Sequence, residues 1–212
     1  MKMEKEIKLV STPEGREKLF SLPLIRESIL PGTEEILELQ NVYYDTPDMA
    51  LTKAGLACRI RQTNGKQWEV TIKTKGTTHN GLSQREEYTV PVTQPVPVWS
   101  GFSPEMDAKL YSLLEGKSWA PFCTVAFTRH LALLNLGKGN QAELALDSGT
   151  IQAGENEAPL AEVELECKMG SMDAITAFVG KLKELLPLQP ENRSKLARGL
   201  ALLENKSQKS EK

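Results

Sequence analysis

Charged and apolar residues alternate along several stretches of the chain. This alternation predicts β-strands that have one apolar face and one ionised face. In the first stretch, Glu4, Glu6 and Lys8 share one face, while Ile7 and Leu9 share the other. Strands are predicted on this basis over Met3–Val10, Glu38–Thr46, Gly55–Gln62, Gln67–Lys75, Leu82–Val90, Cys123–Leu136, Gln141–Asp147, Thr150–Ala153 and Pro159–Lys168.

Turn and capping residues separate these stretches and indicate where helices begin. Asn64-Gly65 predicts a tight hairpin between two of the strands, so antiparallel pairing is expected. Pro91–Pro104 is rich in turn-forming residues and predicts an irregular connector. Helices are predicted to begin after Ser11-Thr12-Pro13-Glu14, over Ser103–Glu115, over Met172–Leu186 and over Ser194–Glu204.

The polar faces of the predicted strands are unusual because nearly every residue on them is ionised. A sheet with one solvent-exposed face would also alternate, but such faces usually mix Thr, Ser, Gln and Lys. Arginines and carboxylates grouped on one face are costly unless they pair or bind a ligand. The groups on shared faces are Arg59 with Arg61, Lys73 with Lys75, Arg85 with Glu87, Glu143 with Asp147, and Glu162 with Glu164 and Glu166.

About eight such strands can close into a barrel whose apolar faces point outward beneath helices and whose charged faces point inward. The interior would be a hydrated, charged tunnel. Clustered Lys and Arg favour a polyanion such as a triphosphate, because guanidinium groups pair bidentately with phosphate oxygens. Carboxylates at i, i+2 spacing favour Mg²⁺ or Mn²⁺, which neutralise the same phosphates. Together they predict a site for a metal–polyphosphate complex.

Composition narrows the classes of function. The 212 residues suffice for one domain with its own core, and a net charge of −2 argues against general nucleic-acid binding. The charged N-terminal start and the lack of a long apolar run predict no secretion signal and no membrane span, hence a cytoplasmic protein. Three separated cysteines, Cys58, Cys123 and Cys167, predict reduced thiols, and His79 and His130 are too few for a zinc site.

The run Glu4-Lys5-Glu6-Ile7-Lys8 resembles the ExExK signature of the CYTH, or triphosphate tunnel metalloenzyme, family. Later segments are similar to further family motifs in the family's order, so the resemblance spans almost the whole chain. These segments are Asn41–Asp48, Leu56–Arg61, Thr71–Lys73, Gln84–Tyr88, Arg129, Glu143–Asp147, Glu162–Glu166 and Ser194–Gly199.

The resemblance implies an α+β fold, a closed eight-stranded antiparallel β-barrel with helices packed outside. One domain over residues 1–204 is expected, followed by a polar, disordered tail over 205–212. The resemblance further implies phosphate binding by Lys8, Arg59, Arg61, Lys73, Arg85, Arg129 and Lys195. It implies metal binding by Glu4, Glu6, Asp147, Glu162 and Glu164, with one ion positioning the triphosphate and a second activating water.

Within the family, the stretches Tyr43–Asp48 and Gly81–Tyr88 look most similar to bacterial inorganic triphosphatases. That similarity implies hydrolysis of tripolyphosphate, with Lys8 assisting and Glu6 or Glu87 orienting the water. Residues 74–82 would be a loop near a tunnel mouth or a plain hairpin connector. Such enzymes often carry a C-terminal CHAD domain. This sequence shows none, so association with polyphosphate granules is not expected.

Three alternatives remain open from the sequence. A class IV-type adenylate cyclase would use the same tunnel, and a thiamine or nucleoside triphosphatase would hydrolyse a different substrate. A non-catalytic module would bind polyphosphate or nucleotide without turnover. The parity of Trp68 places it on the outer face with Val70 and Ile72, so no aromatic residue marks a nucleobase pocket. A small polyanionic substrate is expected, with a monomer or homodimer as the assembly.

Overall fold

The computed structural model describes residues 1–207, and within them ten strands form one sheet. The strands are β1 (Lys2–Ser11), β2 (Glu35–Asp45), β3 (Leu56–Thr63), β4 (Gln67–Thr74), β5 (Thr77–His79), β6 (Leu82–Val92), β7 (Ala120–Gly137), β8 (Asn140–Ala153), β9 (Asn156–Met169) and β10 (Leu188–Pro190). The helices are α1 (Pro13–Leu19), α2 (Pro23–Arg26), α3 (Ala50–Lys53), α4 (Pro104–Leu114), α5 (Met172–Leu185) and α6 (Lys195–Ser207).

Eight of the strands close into an antiparallel barrel in the order β1-β9-β8-β7-β2-β3-β4-β6, and β6 pairs back onto β1. The short strands β5 and β10 pair with β6 and β1 beside this closure. The register places Glu4 opposite Arg85 of β6 and Lys8 opposite Glu164 of β9. The predicted fold is confirmed, and the closing strand β1 brings the ExExK run between two other charged strands.

Two apolar clusters lie on the outer surface of the barrel beneath helices. In the first, Leu9 and Leu165 pack with Leu182 of α5. In the second, Ile72 packs with Leu110 of α4, and Trp68 packs against the same cluster. These contacts confirm the predicted strand parity for Leu9, Leu165 and Ile72, which face outward and are covered by helices.

A third apolar cluster lies inside the barrel, where the sequence analysis expected only charged residues. Phe127 has the parity of Arg129, and Ile151 has the parity of Asp147, so both point inward. They pack with Leu196 and other residues of α6. Helix α6 therefore covers an apolar part of the interior, and the charged cavity occupies the remainder.

The packing of α6 depends on Gly199. A Cβ atom at this position would lie 2.3 Å from the Cys123 Sγ atom and 3.3 Å from its Cβ. We therefore expect Gly199→Ala to destabilise the protein by about 1–3 kcal/mol through overpacking, measured by urea denaturation. Adding Cys123→Ala should recover part of that loss, because it removes the nearer atom.

The matched control is Gly180→Ala in the middle of α5, where a Cβ atom would meet nothing within 4 Å. That substitution should leave stability unchanged or raise it by about 0.5–1 kcal/mol, since Ala favours helix more than Gly does. Equal effects of the two alanines would show that Gly199 has no packing role.

One strand prediction was wrong. Residues 141–147 and 150–153 belong to a single strand, β8, rather than two. Ser148-Gly149 suggested a break, but Gly149 lies in the sheet opposite Phe127. A Cβ atom at Gly149 would lie 2.1 Å from the Ala126 carbonyl oxygen, so glycine permits close backbone approach there.

Smaller elements were also absent from the sequence analysis. Residues 74–82 contain β5 as well as a turn, and α2, α3 and β10 were not predicted. All four are only three or four residues long, too short for a periodic pattern to appear. Helix α6 continues to Ser207, and residues 208–212 of the predicted tail lie outside the described residues. No helix within residues 1–207 has the length and apolar character that a membrane crossing requires.

Candidate active site

A cavity of about 300 Å³ lies inside the barrel. It is lined by the residues that the sequence analysis selected, except Asp147 and Glu162. The selected residues on its wall are Glu4, Glu6, Lys8, Arg59, Arg61, Lys73, Arg85, Glu87, Arg129, Glu164 and Lys195.

Glu4 lies at the centre of one charged group. Arg85 Nε donates to its Oε2 atom at 2.6 Å, and Lys73 Nζ donates to its Oε1 atom at 3.1 Å. Lys73 also forms an ion pair with Glu87. Burial disfavours ionisation of Glu4, but Lys73 and Arg85 outweigh it and lower the pKa of Glu4 below its usual range. Burial together with Arg85 lowers the pKa of Lys73 to about 8.

Glu6 is buried but poorly neutralised. Its Oε1 atom lies 3.5 Å from both Lys8 Nζ and an Arg85 terminal nitrogen, and it accepts no hydrogen bond within residues 1–207. Burial and the nearby Glu164 carboxylate raise the pKa of Glu6 above its ordinary value. The Glu164 carboxylate also repels the Glu4 carboxylate. A divalent cation would relieve this repulsion, so Glu4, Glu6 and Glu164 fit a hard metal ion that prefers oxygen ligands.

A second acidic group lies deeper in the wall. Oxygens of Asp147, Glu162 and Glu164 lie within 4.8 Å of one another. The Lys195 Nζ atom lies among them, 2.9 Å from Asp147, 2.6 Å from Glu162 and 2.8 Å from Glu164. Although burial alone would lower it, the pKa of Lys195 is raised well above its usual value by Asp147 and Glu164.

Two arginines complete the neutralisation of this group. Arg129 donates two bonds of 2.7 Å to Asp147 and one of 2.5 Å to Glu164. Arg198 donates to Glu162 at 2.8 Å. Three carboxylates are thus matched by three cations, and a metal ion would enter this group only by displacing Lys195. The five predicted metal ligands therefore divide into three that face the cavity and two, Asp147 and Glu162, that hold basic side chains behind it.

The opposite wall carries arginines with incomplete neutralisation. Arg61 Nε donates to Asn41 Oδ1 at 2.9 Å, and Arg59 donates to Thr71 Oγ1 at 3.2 Å. The nearest carboxylate, Glu69, lies 3.6 Å from Arg59 and 3.9 Å from Arg61. Burial, together with Arg59 and Arg129, lowers the pKa of Arg61 to about 9. An anionic ligand would stabilise these two guanidinium groups.

The cavity also contains charged residues that the sequence analysis did not select. Glu69 has the strand parity of Lys73, Lys2 has that of Glu4, and Lys168 has that of Glu164. Strict use of the period of two would have found all three. Arg198 lay within a motif segment, but its contact with Glu162 depends on how α6 packs across the barrel.

The fold and the cavity define a class of protein, namely closed antiparallel barrels whose ionised interior combines a carboxylate group with a basic wall. The chain belongs to the CYTH domain family, whose model matches residues 2–200. It is 31% identical over 208 residues to an inorganic triphosphatase from Haemophilus influenzae, an alignment that covers 95% of this chain and 55% of that protein. The chain thus spans about half the length of this relative.

Solved structures share the fold. A Hippeastrum protein, described as an adenylyl cyclase candidate with a dominant triphosphatase activity, has a TM-score of 0.63 at 19% identity. The match covers 93% of this chain and 95% of that one. An adenylate cyclase candidate from Bacillus halodurans has a TM-score of 0.58 at 22% identity, covering 93% and 98% of the two chains. At these identities the structural similarity establishes the barrel fold but not the reaction, which is inferred from the residues of the site.

Proposed function

We propose that the protein hydrolyses inorganic triphosphate to diphosphate and phosphate with the help of a divalent metal ion. The observation that carries this proposal is the pairing of two features in one cavity. On one side, Glu6 is buried beside the carboxylates Glu4 and Glu164 and is poorly neutralised, and on the other side lie two poorly neutralised arginines, Arg59 and Arg61. A metal ion and a polyanion together would balance both. The Haemophilus influenzae relative, an inorganic triphosphatase, supports the same reaction.

In this proposal Glu4, Glu6 and Glu164 would hold Mg²⁺ or Mn²⁺. When bound, the ion supplies charge neutralisation and lowers the pKa of a bound water. Asp147 and Glu162 fix Lys195 and Arg129 toward the cavity. The side chains that bind phosphate oxygens are Lys8, Arg59, Arg61, Lys73, Arg85, Arg129 and Lys195.

Hydrolysis requires water to bond to the terminal phosphorus while the bond from that phosphorus to the bridging oxygen breaks. The bridging oxygen keeps the electron pair and leaves with diphosphate, where Arg and Lys neutralise the developing charge. We assign Glu6 to orient the water and accept its proton, because the cations beside its Oε1 atom, Lys8 and Arg85, lie 3.5 Å away and leave that atom without a close partner. Glu87 forms an ion pair with Lys73 and positions that amine.

An inorganic substrate is favoured over a nucleotide. Tyr43 is the only aromatic residue on the cavity wall within residues 1–207, and it is 5% exposed, so little ring surface is available for a base. The adenylate cyclase and the thiamine or nucleoside triphosphatase remain alternatives because the basic wall would bind their triphosphates equally well. Cytoplasmic location and a monomeric or dimeric state stay predictions.

Incubation of the purified chain with Mg²⁺ or Mn²⁺ and either tripolyphosphate or ATP tests the proposal. We expect orthophosphate release from tripolyphosphate in excess of that from ATP, no cyclic AMP, and loss of turnover with a chelator, measured by ³¹P NMR. Cyclic AMP formation would favour the cyclase, and binding of tripolyphosphate without turnover under any metal would favour the non-catalytic module.

A further inference from the structure

A second chamber of about 610 Å³ adjoins the candidate active site. The two chambers share wall residues from four strands, including the cations Lys8, Lys73 and Arg85. These cations therefore face the metal-binding side of the barrel and the second chamber at once. A chain of phosphates held by them in the first chamber could continue into the second without leaving the basic wall.

The second chamber differs from the first in charge. Among residues 1–207, no Asp or Glu lines it, whereas Lys53, Lys75 and Arg193 join the shared cations on its wall. Arg193 pairs with Glu191 at 2.9 Å, but Lys53 and Lys75 have no carboxylate partner among the described residues. The chamber is thus a cationic compartment beside a mixed one, which makes it more selective for anions.

Local geometry places the two unpaired lysines on the wall of the same chamber. Lys53 ends α3, and Gly55 follows it with a positive φ of 72°. A Cβ atom at Gly55 would lie 3.0 Å from the Lys75 Cβ atom, so the glycine lets the Lys75 stem pack against the end of α3. Both lysines line the same chamber, so a polyanion held there would be attracted by two positive charges that have no carboxylate partner among the described residues.

Nothing in the second chamber suits a nucleoside. Its wall within residues 1–207 contains no aromatic residue, so a base would find no ring to stack on. The uncharged polar groups on its wall include Thr52, Thr78, Asn192 and Ser194, which are partners for phosphate oxygens. A phosphate chain fits this lining better than a sugar and base.

We propose that this chamber is a second anion subsite, which receives the phosphates of a linear polyphosphate that extend beyond the three in the active site. The inference rests on the proposed function and deepens it: the substrate class becomes linear polyphosphates of three or more phosphates. Hydrolysis of a longer chain is the same reaction, since water is consumed and one terminal orthophosphate is released from a chain shortened by one.

The test is the variant Lys53→Gln with Lys75→Gln, which removes both charges and keeps most of each stem. Turnover of tripolyphosphate with Mg²⁺ should stay within about twofold of wild type, because neither lysine lines the first chamber. For a longer linear polyphosphate, kcat/KM should fall about fivefold or more. Lys181→Gln with Lys183→Gln, on the outer helix α5, makes the same charge change and should alter neither substrate.

Calorimetry in the presence of a chelator provides a readout that does not depend on hydrolysis. Wild type should bind a longer linear polyphosphate more tightly than tripolyphosphate, and the Lys53/Lys75 variant should lose that difference. A protein that hydrolyses nothing yet keeps this affinity difference would refute the proposed function and support the subsite. An equal fall in affinity for both lengths, or equal affinities in wild type, would overturn the subsite.

Discussion

Glu4→Gln combined with Glu6→Gln is expected to reduce tripolyphosphate hydrolysis by about a thousandfold or more. The two glutamines keep the shape of the side chains but remove two of the three carboxylates that are proposed to hold the metal ion. Metal affinity should fall with them, because Mg²⁺ and Mn²⁺ bind charged oxygens far better than amide oxygens. The measurement is kcat/KM from orthophosphate release across a range of metal concentrations.

A thermal shift with metal alone separates loss of binding from loss of catalysis. Addition of Mn²⁺ should raise the Tm of wild type and leave that of the double variant unchanged, since a ligand stabilises only the state that binds it. Glu17→Gln with Glu184→Gln, on the exposed faces of α1 and α5, is the control with the same chemical change. Turnover at the wild-type rate in the Glu4/Glu6 variant would place the metal elsewhere.

Asp147→Ala should destabilise the protein by about 3–5 kcal/mol, the largest loss of stability that we expect from a single substitution. Asp147 is 0% exposed and accepts two hydrogen bonds from Arg129 besides its ion pair with Lys195. The truncation leaves the three buried cations Lys195, Arg129 and Arg198 with only two carboxylates, Glu162 and Glu164, so one positive charge is no longer neutralised. We expect a lower urea concentration at the midpoint of unfolding and an unchanged m-value.

Glu157→Ala provides the comparison, because this exposed residue lies on the neighbouring strand β9 and should change stability by no more than about 0.5 kcal/mol. The loss of stability caused by Asp147→Asn should lie between those of Asp147→Ala and Glu157→Ala, since the amide keeps one acceptor but not the charge. If Asp147→Ala cost no more than Glu157→Ala, the three carboxylates and three cations would not act as one buried group.

Strand parity explains why much of the molecule was predictable from the sequence. A period of two in residues 3–10 places Glu4, Glu6 and Lys8 on one face whatever the rest of the chain does. The same rule placed Arg59 and Lys73 inward and Trp68 outward, as the cavity lining and the outer cluster show. The merged strand β8 was missed because Gly149 looks like a turn residue until its neighbour across the sheet is known.

Strand parity could not predict contacts between residues that are far apart in the sequence. The partners of Lys195 lie 31 or more residues away, and helix periodicity says nothing about which barrel wall a helix reaches. Arg198 and the apolar interior under α6 depend on that docking as well. The second chamber likewise combines the end of α3 with β4 and the segment before α6, three elements whose meeting no local pattern encodes.

The sequence by itself determined the alternating faces, the antiparallel pairing around Asn64-Gly65 and the ionised character of the interior, because these follow from backbone periodicity and turn chemistry. Only the tertiary structure decided how those charges pair. It directs Lys195 and Arg129 onto Asp147 and leaves Glu6 without a close partner, because closure of β1 onto β6 and packing of α6 set the distances. Charge balance in the cavity is thus a property of the closed barrel.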